Sequence, residues 1–243
     1  MTPISDAKAS FACFVTGTDT EIGKTLVAAA LVHGLAKQGV RVAAMKPVAA
    51  GTQQIDGRRC NEDVEILLSQ VNTELDRNQV VPYLFDEPVA PHIAARNAGV
   101  TMTSRVILKA FAQLQLQAQA VVVEGAGGFC VPISETEDLA DVAQALALPV
   151  VLVVGMRLGC ISHAVLTAQA VQARGLRLAG WVANTVDPDM PFFNENIQTL
   201  NGRLPAPYLG CIPRLVDPDP AIAARHLDFS RLEGWPCAMP VPE

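Results

Sequence analysis

Short apolar runs rich in β-branched residues recur along the chain: Phe11 to Thr16, Val40 to Met45, Ala120 to Val123, Val150 to Val154 and Leu178 to Val182. Their apolar positions are consecutive rather than alternating, as in strands covered on both faces of a parallel sheet. Between them lie stretches rich in Ala, Leu and Gln, at 24–38, 104–118, 138–147 and 161–174, which read as helices. Gly39 and Gly175 stand just past two of these, where a left-handed residue closes a helix. The alternation predicts an α/β fold, a doubly wound and mostly parallel sheet between two helical layers. Residues 52–100 are polar and contain proline, and are expected as irregular loops and short helices above the sheet. No repeat or composition break divides the chain, so one domain is expected over 1–243. Residues 1–10 and about 218–243 (with Pro218, Pro220, Pro236, Pro240 and Pro242) are expected to be loosely ordered ends.

Composition narrows the function classes. With 50% hydrophobic and 17% charged residues among 243, the chain is neither a disordered protein nor a coiled coil. A net charge of -6 argues against nucleic acid or an anionic membrane as a general partner. It does not exclude an anionic ligand, which a few placed donors can hold. The six cysteines (Cys13, Cys60, Cys130, Cys160, Cys211, Cys237) form no CxxC pair and read as reduced thiols. Residues 1–10 lack signal-peptide character, and the longest apolar run, Ala145 to Gly155, is too short for a bilayer. A cytoplasmic location is expected.

The sharpest motif is Gly17-Thr18-Asp19-Thr20-Glu21-Ile22-Gly23-Lys24-Thr25, placed between the first strand and the first helix. Strand, Gly-rich turn, GK[ST] and helix is the order of a P-loop, with Thr18 standing where the strict pattern has its first glycine. Backbone N–H groups and a helix N-terminus cradle phosphates there, the lysine reaches the β/γ oxygens, and Thr25 offers a hydroxyl to Mg2+. A nucleotide site also needs a carboxylate at a neighbouring strand end. Glu124 closes a strand and opens Glu124-Gly125-Ala126-Gly127-Gly128, a sequence that alone reads equally as a plain turn. Asp63 would be a third ligand only if a loop of unknown shape carried it there. Lys46 leaves the second strand at the ligand-binding edge of the sheet; alone it could be a solvated lysine, beside Lys24 it suits charge neutralisation on a phosphoryl group. These motifs refine the expected fold to a P-loop NTPase-like three-layer α/β/α domain.

Together with Lys46-Pro47-Val48-Ala49-Ala50-Gly51, Glu87-Pro88-Val89-Ala90-Pro91-His92, Leu158-Gly159-Cys160-Ile161-Ser162-His163, Gly180-Trp181-Val182-Ala183-Asn184 and Ile212-Pro213-Arg214-Leu215, the sequence resembles the dethiobiotin synthetase family over roughly 11–215. The resemblance implies an ATP-dependent ligase of biotin synthesis, which closes the ureido ring of 7,8-diaminononanoate (7,8-diaminopelargonate) with CO2 or bicarbonate. It implies Lys24, Lys46 and Thr20 as catalytic groups, and Mg2+ on Thr25, Asp63 and Glu124. Glu21, Ile22, Gly23, Lys24, Thr25 and Leu26 would line the phosphate side, with Gly125, Ala126 and Gly127 beside them. Asn184 and Thr185 would face the adenine edge, with Pro213, Arg214 and Leu215 against the base. Lys46 and Ala50 would meet the substrate, whose carboxylate would be taken by Gly159, Cys160, Ile161 and Ser162 of a second subunit in a homodimer.

Three positions depart from the family pattern: Ala50 where a hydroxyl residue is usual, Ser162 where asparagine is common, and Pro220 where an acidic residue is often found. Asn184-Thr185-Val186-Asp187 loosely mimics a guanine-reading motif but lacks its lysine, which favours adenine. His92 and His163 have no carboxylate or cysteine at ligand spacing and read as structural, as does Trp181 on its apolar strand. Two rival readings share the phosphate loop. Cobalamin-type amidoligases carry a further glutamine-hydrolysing domain after it. Switch ATPases of the partition type carry a second lysine ahead of the loop's GK, where this chain has Thr18 and Asp19.

Overall fold

The computed structural model describes residues 11–236. Its strands are β1 (Phe11–Gly17), β2 (Val42–Met45), β3 (Val48–Ala50), β4 (Gln53–Ile55), β5 (Arg58–Cys60), β6 (Tyr83–Phe85), β7 (Ala120–Glu124), β8 (Val150–Met156), β9 (Leu178–Thr185) and β10 (Tyr208–Ile212). The helices are α1 (Lys24–Lys37), α2 (Glu62–Gln70), α3 (Arg77–Val80), α4 (Pro91–Asn97), α5 (Ser104–Gln117), α6 (Leu139–Leu146), α7 (Cys160–Ala173), α8 (Phe193–Arg203) and α9 (Pro220–Ala224). Six strands form one parallel sheet in the order β10-β9-β8-β1-β7-β2.

Side chains alternate between the faces of a strand, so each central strand feeds two cores. Phe14, Val121, Val123, Leu152, Val154 and Trp181 join the layer of α5, α6, α7 and α8. Cys13, Val15, Val122, Val151, Val153 and Val182 join the layer of α1 and α9. The consecutive apolar runs are therefore strands buried on both sides. Gly39 and Gly175 have φ of +76° and +70° and follow the ends of α1 and α7, as expected.

Elements beyond the sequence reading fall in half-buried or polar segments. Strand β10 lies at the sheet edge, and its run is broken by Gly210. That glycine is required: φ is +140°, and a Cβ there would lie 2.1 Å from the His226 carbonyl oxygen. The 52–100 region holds the β4–β5 hairpin, the parallel β3–β6 pair and short helices α2, α3 and α4. The loosely ordered end expected from 218 is corrected in its first part. Asp219 caps α9, and a 3-10 turn at Phe229–Arg231 follows. The Trp235 ring then packs against Phe229 and Phe11, with centroids 4.6 and 5.3 Å apart. Residues 1–10 and 237–243, including Cys237, Pro240 and Pro242, lie outside the described residues. Among the described residues no helix is long and apolar enough to cross a membrane.

Candidate active site

The first strand delivers the chain into a tight loop. Glu21 and Gly23 both adopt left-handed φ, +57° and +86°, before α1 begins at Lys24. Lys24 is 6% exposed and folds back, donating from Nζ to the Asp19 carbonyl at 2.6 Å. Burial, with Lys46 adding to it, lowers its pKa to about 8, against the pull of Glu124, Asp63 and Asp19. Asp19 also accepts the Thr20 amide at 2.8 Å and pairs with Arg157 from the segment after β8.

Four elements converge beside this loop. Lys46, at the end of β2, donates to Glu124 Oε1 at 2.5 Å and to Asp63 Oδ2 at 2.8 Å. Thr25 Oγ1, in the first turn of α1, stands 2.8 Å from Asp63 Oδ1 and 2.8 Å from Glu124 Oε1. Glu124 ends β7, fully buried, and Lys46 is 3% exposed. Burial by itself lowers the Lys46 pKa, but Glu124 and Asp63 outweigh it and hold the ammonium above the ordinary lysine range. Burial also acts to raise Asp63, yet the Lys46 ammonium holds this carboxyl below the usual carboxylate range. For Glu124 burial wins and its pKa rises.

The cluster has more acceptors than protons. One Thr25 hydroxyl hydrogen faces two carboxylate oxygens, and Glu124 Oε2 is buried without a hydrogen-bond partner. A hydroxyl and two carboxylates in this state suit a hard divalent cation whose remaining ligands are phosphate oxygens and water. No group of three or more His, Cys, Asp or Glu side chains able to hold a metal occurs among the described residues.

Asp63 is not on a loop. It sits in the first turn of α2, which Asn61 caps by accepting the Val64 amide. The cap-plus-acidic run Asn61-Glu62-Asp63 was the local signal for this helix start. Asp19 and Arg157 were also missed, and their pairing across 138 residues has no local signal.

The other expected residues make contacts of their own. Asn184, 8% exposed, donates Nδ2 to the Ile22 carbonyl at 2.8 Å and so pins the phosphate loop. Ile22 is buried, and Leu26 packs against the α1-side core. Gly125 donates its amide to the Val15 carbonyl at 2.9 Å, Ala126 packs on the opposite core, and Gly127 turns with φ +64° beside Thr20. Ala50 offers its carbonyl to Asn61. Thr185 lies 3.7 Å from Cys211 Sγ. Pro213, Arg214 and Leu215 follow β10, with Leu215 touching the core. Gly159, Cys160, Ile161 and Ser162 open α7, Cys160 buried and Ser162 exposed. These last two segments stand outside the hydrogen-bonded cluster.

Trp181 is a core residue with no exposure. His92 Nδ1 is buried without a partner, and His163 is exposed on α7. A cavity of about 350 Å3 lies between β10 and the segment after α9, another of about 400 Å3 lies between α1 and α9, and neither is lined by a cluster residue.

Residues 12–221 match an AAA domain family, AAA_26. The chain is 53% identical to the ATP-dependent dethiobiotin synthetase BioD of Janthinobacterium sp. (strain Marseille) over 234 residues, 95% of this chain and 99% of that protein. It is 56% identical to the same-named protein of Ralstonia nicotianae over 222 residues, 91% of this chain and 97% of the relative. Among solved structures it is similar to the MinC:MinD cell division complex of Aquifex aeolicus, with TM-score 0.53 and 14% identity over 88% of this chain and 86% of that one. A ParA family ATPase from Chlorobium tepidum gives TM-score 0.53 and 11% identity over 90% of each chain. At such identities the structural likeness concerns the fold alone.

Proposed function

The chain belongs to the ATP-dependent dethiobiotin synthetase family, and from that premise we propose how its residues divide the work. It is a ligase of biotin biosynthesis that uses ATP. The proposed substrates are 7,8-diaminononanoate and CO2. One amine adds to CO2, loses a proton and becomes a carbamate. A carbamate oxygen attacks the γ-phosphorus, the bond to the β-phosphate oxygen breaks, and ADP leaves. The second amine then attacks the carbonyl carbon of the mixed anhydride. It loses its proton, the carbon–oxygen bond breaks, phosphate departs and the ring is closed.

Two lysines on one sheet edge supply the charge this sequence demands. Lys46 would hold the carbamate against the γ-phosphoryl group, and Lys24 would leave the Asp19 carbonyl for the β/γ oxygens. Thr20, Glu21 and Gly23 would line the triphosphate, whose oxygens take loop N–H groups. Thr25, Asp63 and Glu124 would hold Mg2+, which when bound neutralises charge on the β- and γ-phosphates. Asn184 would keep Nδ2 on the loop and offer its oxygen to the adenine amine, with Thr185 and Pro213 to Leu215 around the base. The substrate carboxylate would sit on the Gly159 to Ser162 turn of a second subunit; there the Cys160 amide is spent on the Arg157 carbonyl, and the Ile161 and Ser162 amides of the first α7 turn would be the donors. Ala50 would meet the diamine without a hydroxyl to offer. The five free cysteines among the described residues fit the reducing cytoplasm we assign.

The observation that carries this reading is the buried Lys46 held between Asp63 and Glu124, with Thr25 at both carboxylates. Steady-state assays of Lys24→Ala and Lys46→Ala should each show turnover reduced by ~100-fold or more with the circular dichroism of the folded protein retained. Near-normal turnover in either would remove that lysine from the mechanism. ADP release should require both the diamine and bicarbonate; a switch ATPase of the same fold would ignore both.

A further inference from the structure

Between Lys46 and Asp63 the chain makes a detour through β3, Gly51, the β4–β5 hairpin and the start of α2. The hairpin is exposed on nearly every residue, so packing alone does not fix where its two ends emerge. One buried side chain joins those ends. Asn61, 7% exposed, donates Nδ2 to the Gly51 carbonyl at 2.8 Å and to the Ala50 carbonyl at 3.3 Å. Its Oδ1 accepts the Val64 amide and caps α2. Its amide nitrogen and its amide oxygen are thus both spent on backbone at the two ends of the detour.

We propose that Asn61 is a positioning residue: by tying Ala50–Gly51 to the first turn of α2, it sets Asp63 against Lys46 and Thr25. The cap fixes the rotation of α2 about its axis, and Asp63, two residues further on, inherits that rotation. The tie fixes the distance from α2 to the end of β3, the strand that follows Lys46. Asp63 reaches both of its partners at 2.8 Å and is otherwise partly open to solvent, so a small shift of α2 would release it. This inference rests on the roles proposed above for Lys46 and Asp63, and Asn61 acts through them without touching a reacting atom.

The test separates the tie from the cap. Asn61→Ser retains a capping oxygen but is too short to bridge to both carbonyls, so helix stability should be largely kept. At saturating diamine its kcat should fall by about tenfold, with the diamine KM changed less than about twofold. In an Asp63→Asn background the same change should cost less than about twofold, because residues acting through one another are not additive. A readout apart from turnover is Mn2+ affinity measured by electron paramagnetic resonance with a non-hydrolysable ATP analogue. It should weaken in Asn61→Ser and in Asp63→Asn to a similar degree, and no further in the double variant. Asp76→Ala removes a comparable cap from α3. That variant should lose thermal stability without the loss of Mn2+ affinity. Additive effects, or Asn61→Ser behaving as Asp76→Ala does, would overturn the positioning role. If Asp63→Asn and Lys46→Ala were instead both fully active, the reading of the site itself would fail, whatever Asn61 did.

Discussion

Gly23 must be glycine for two separable reasons. Its φ is +86°, and a Cβ built on it would lie 2.2 Å from Asn184 Nδ2, the atom that holds the Ile22 carbonyl. Gly39 has a similar φ of +76°, but a Cβ there would meet nothing within 4 Å. Gly23→Ala should therefore weaken binding of a non-hydrolysable ATP analogue by ~10-fold or more, because the added Cβ drives Asn184 Nδ2 off the loop carbonyl and a lost buried hydrogen bond costs about 1–3 kcal/mol. Gly39→Ala carries the same backbone cost and should lower the melting temperature while leaving that affinity intact. Calorimetric titration of both variants decides the matter; equal affinities would mean the Asn184 contact does not shape the loop. At this scale the sequence was readable wherever position on a strand or helix end sufficed, as for Lys24, Lys46 and Glu124. It was not readable where a partner lay far along the chain. The hold of Asn184 on Ile22 spans 162 residues, and Asp63 meets Lys46 across 17 residues that include an exposed hairpin.

The helices show how a local cap becomes a tertiary contact. Asp138 and Asp141 form a reciprocal capping box at the start of α6, and Arg174, just past the end of α7, pairs with both. The backbone hydrogen bond from Asp138 and the nearby guanidinium lower the Asp141 pKa. A carboxylate whose folded pKa is depressed contributes stability above its unfolded value, lost as pH falls through the folded value. The melting-temperature gap between the protein and Asp141→Asn should thus be present at pH 7 and close once pH falls well below 3.8. A gap that persists in acid would assign the effect to packing. Asp138→Ala should cost ~1 kcal/mol at neutral pH by denaturant titration, as lost caps do. Helices α1, α5, α6 and α7 were legible because each pairs an apolar pattern with a buried face. The Pro-rich end holds more structure than its prolines suggest, because a proline can open a helix as well as break one. Asp219 followed by Pro220 is in fact a cap followed by the first helical position, where a missing N–H costs nothing. Helix α9 then covers α1, and Gly34 leaves room for the Phe229 ring, which would stand 3.0 Å from a Cβ there.

At the scale of the molecule, the 50% hydrophobic share is not all consumed by the two cores. Leu158 is 92% exposed and Leu166 60% exposed, one just before α7 and one on it, beside the turn proposed to take the carboxylate of a partner's substrate. Exposed leucines on either side of the Gly159 to Ser162 turn suit a twofold interface in which each α7 start would serve the opposite phosphate loop. Such an arrangement makes a sharp genetic prediction. Lys24→Ala chains have a defective loop but an intact α7 start, whereas Ser162→Asp chains have the reverse. A mixed dimer would pair both defects in one site and neither in the other. Coexpressed in equal amounts, the two inactive variants should therefore recover about a quarter of normal turnover, because half the dimers are mixed and each has one sound site. Sedimentation of the same sample should show the two chains associated. Mixed dimers that form and remain inactive would mean that each substrate is bound within one chain, and the carboxylate would then have to be met by the chain that holds Lys46.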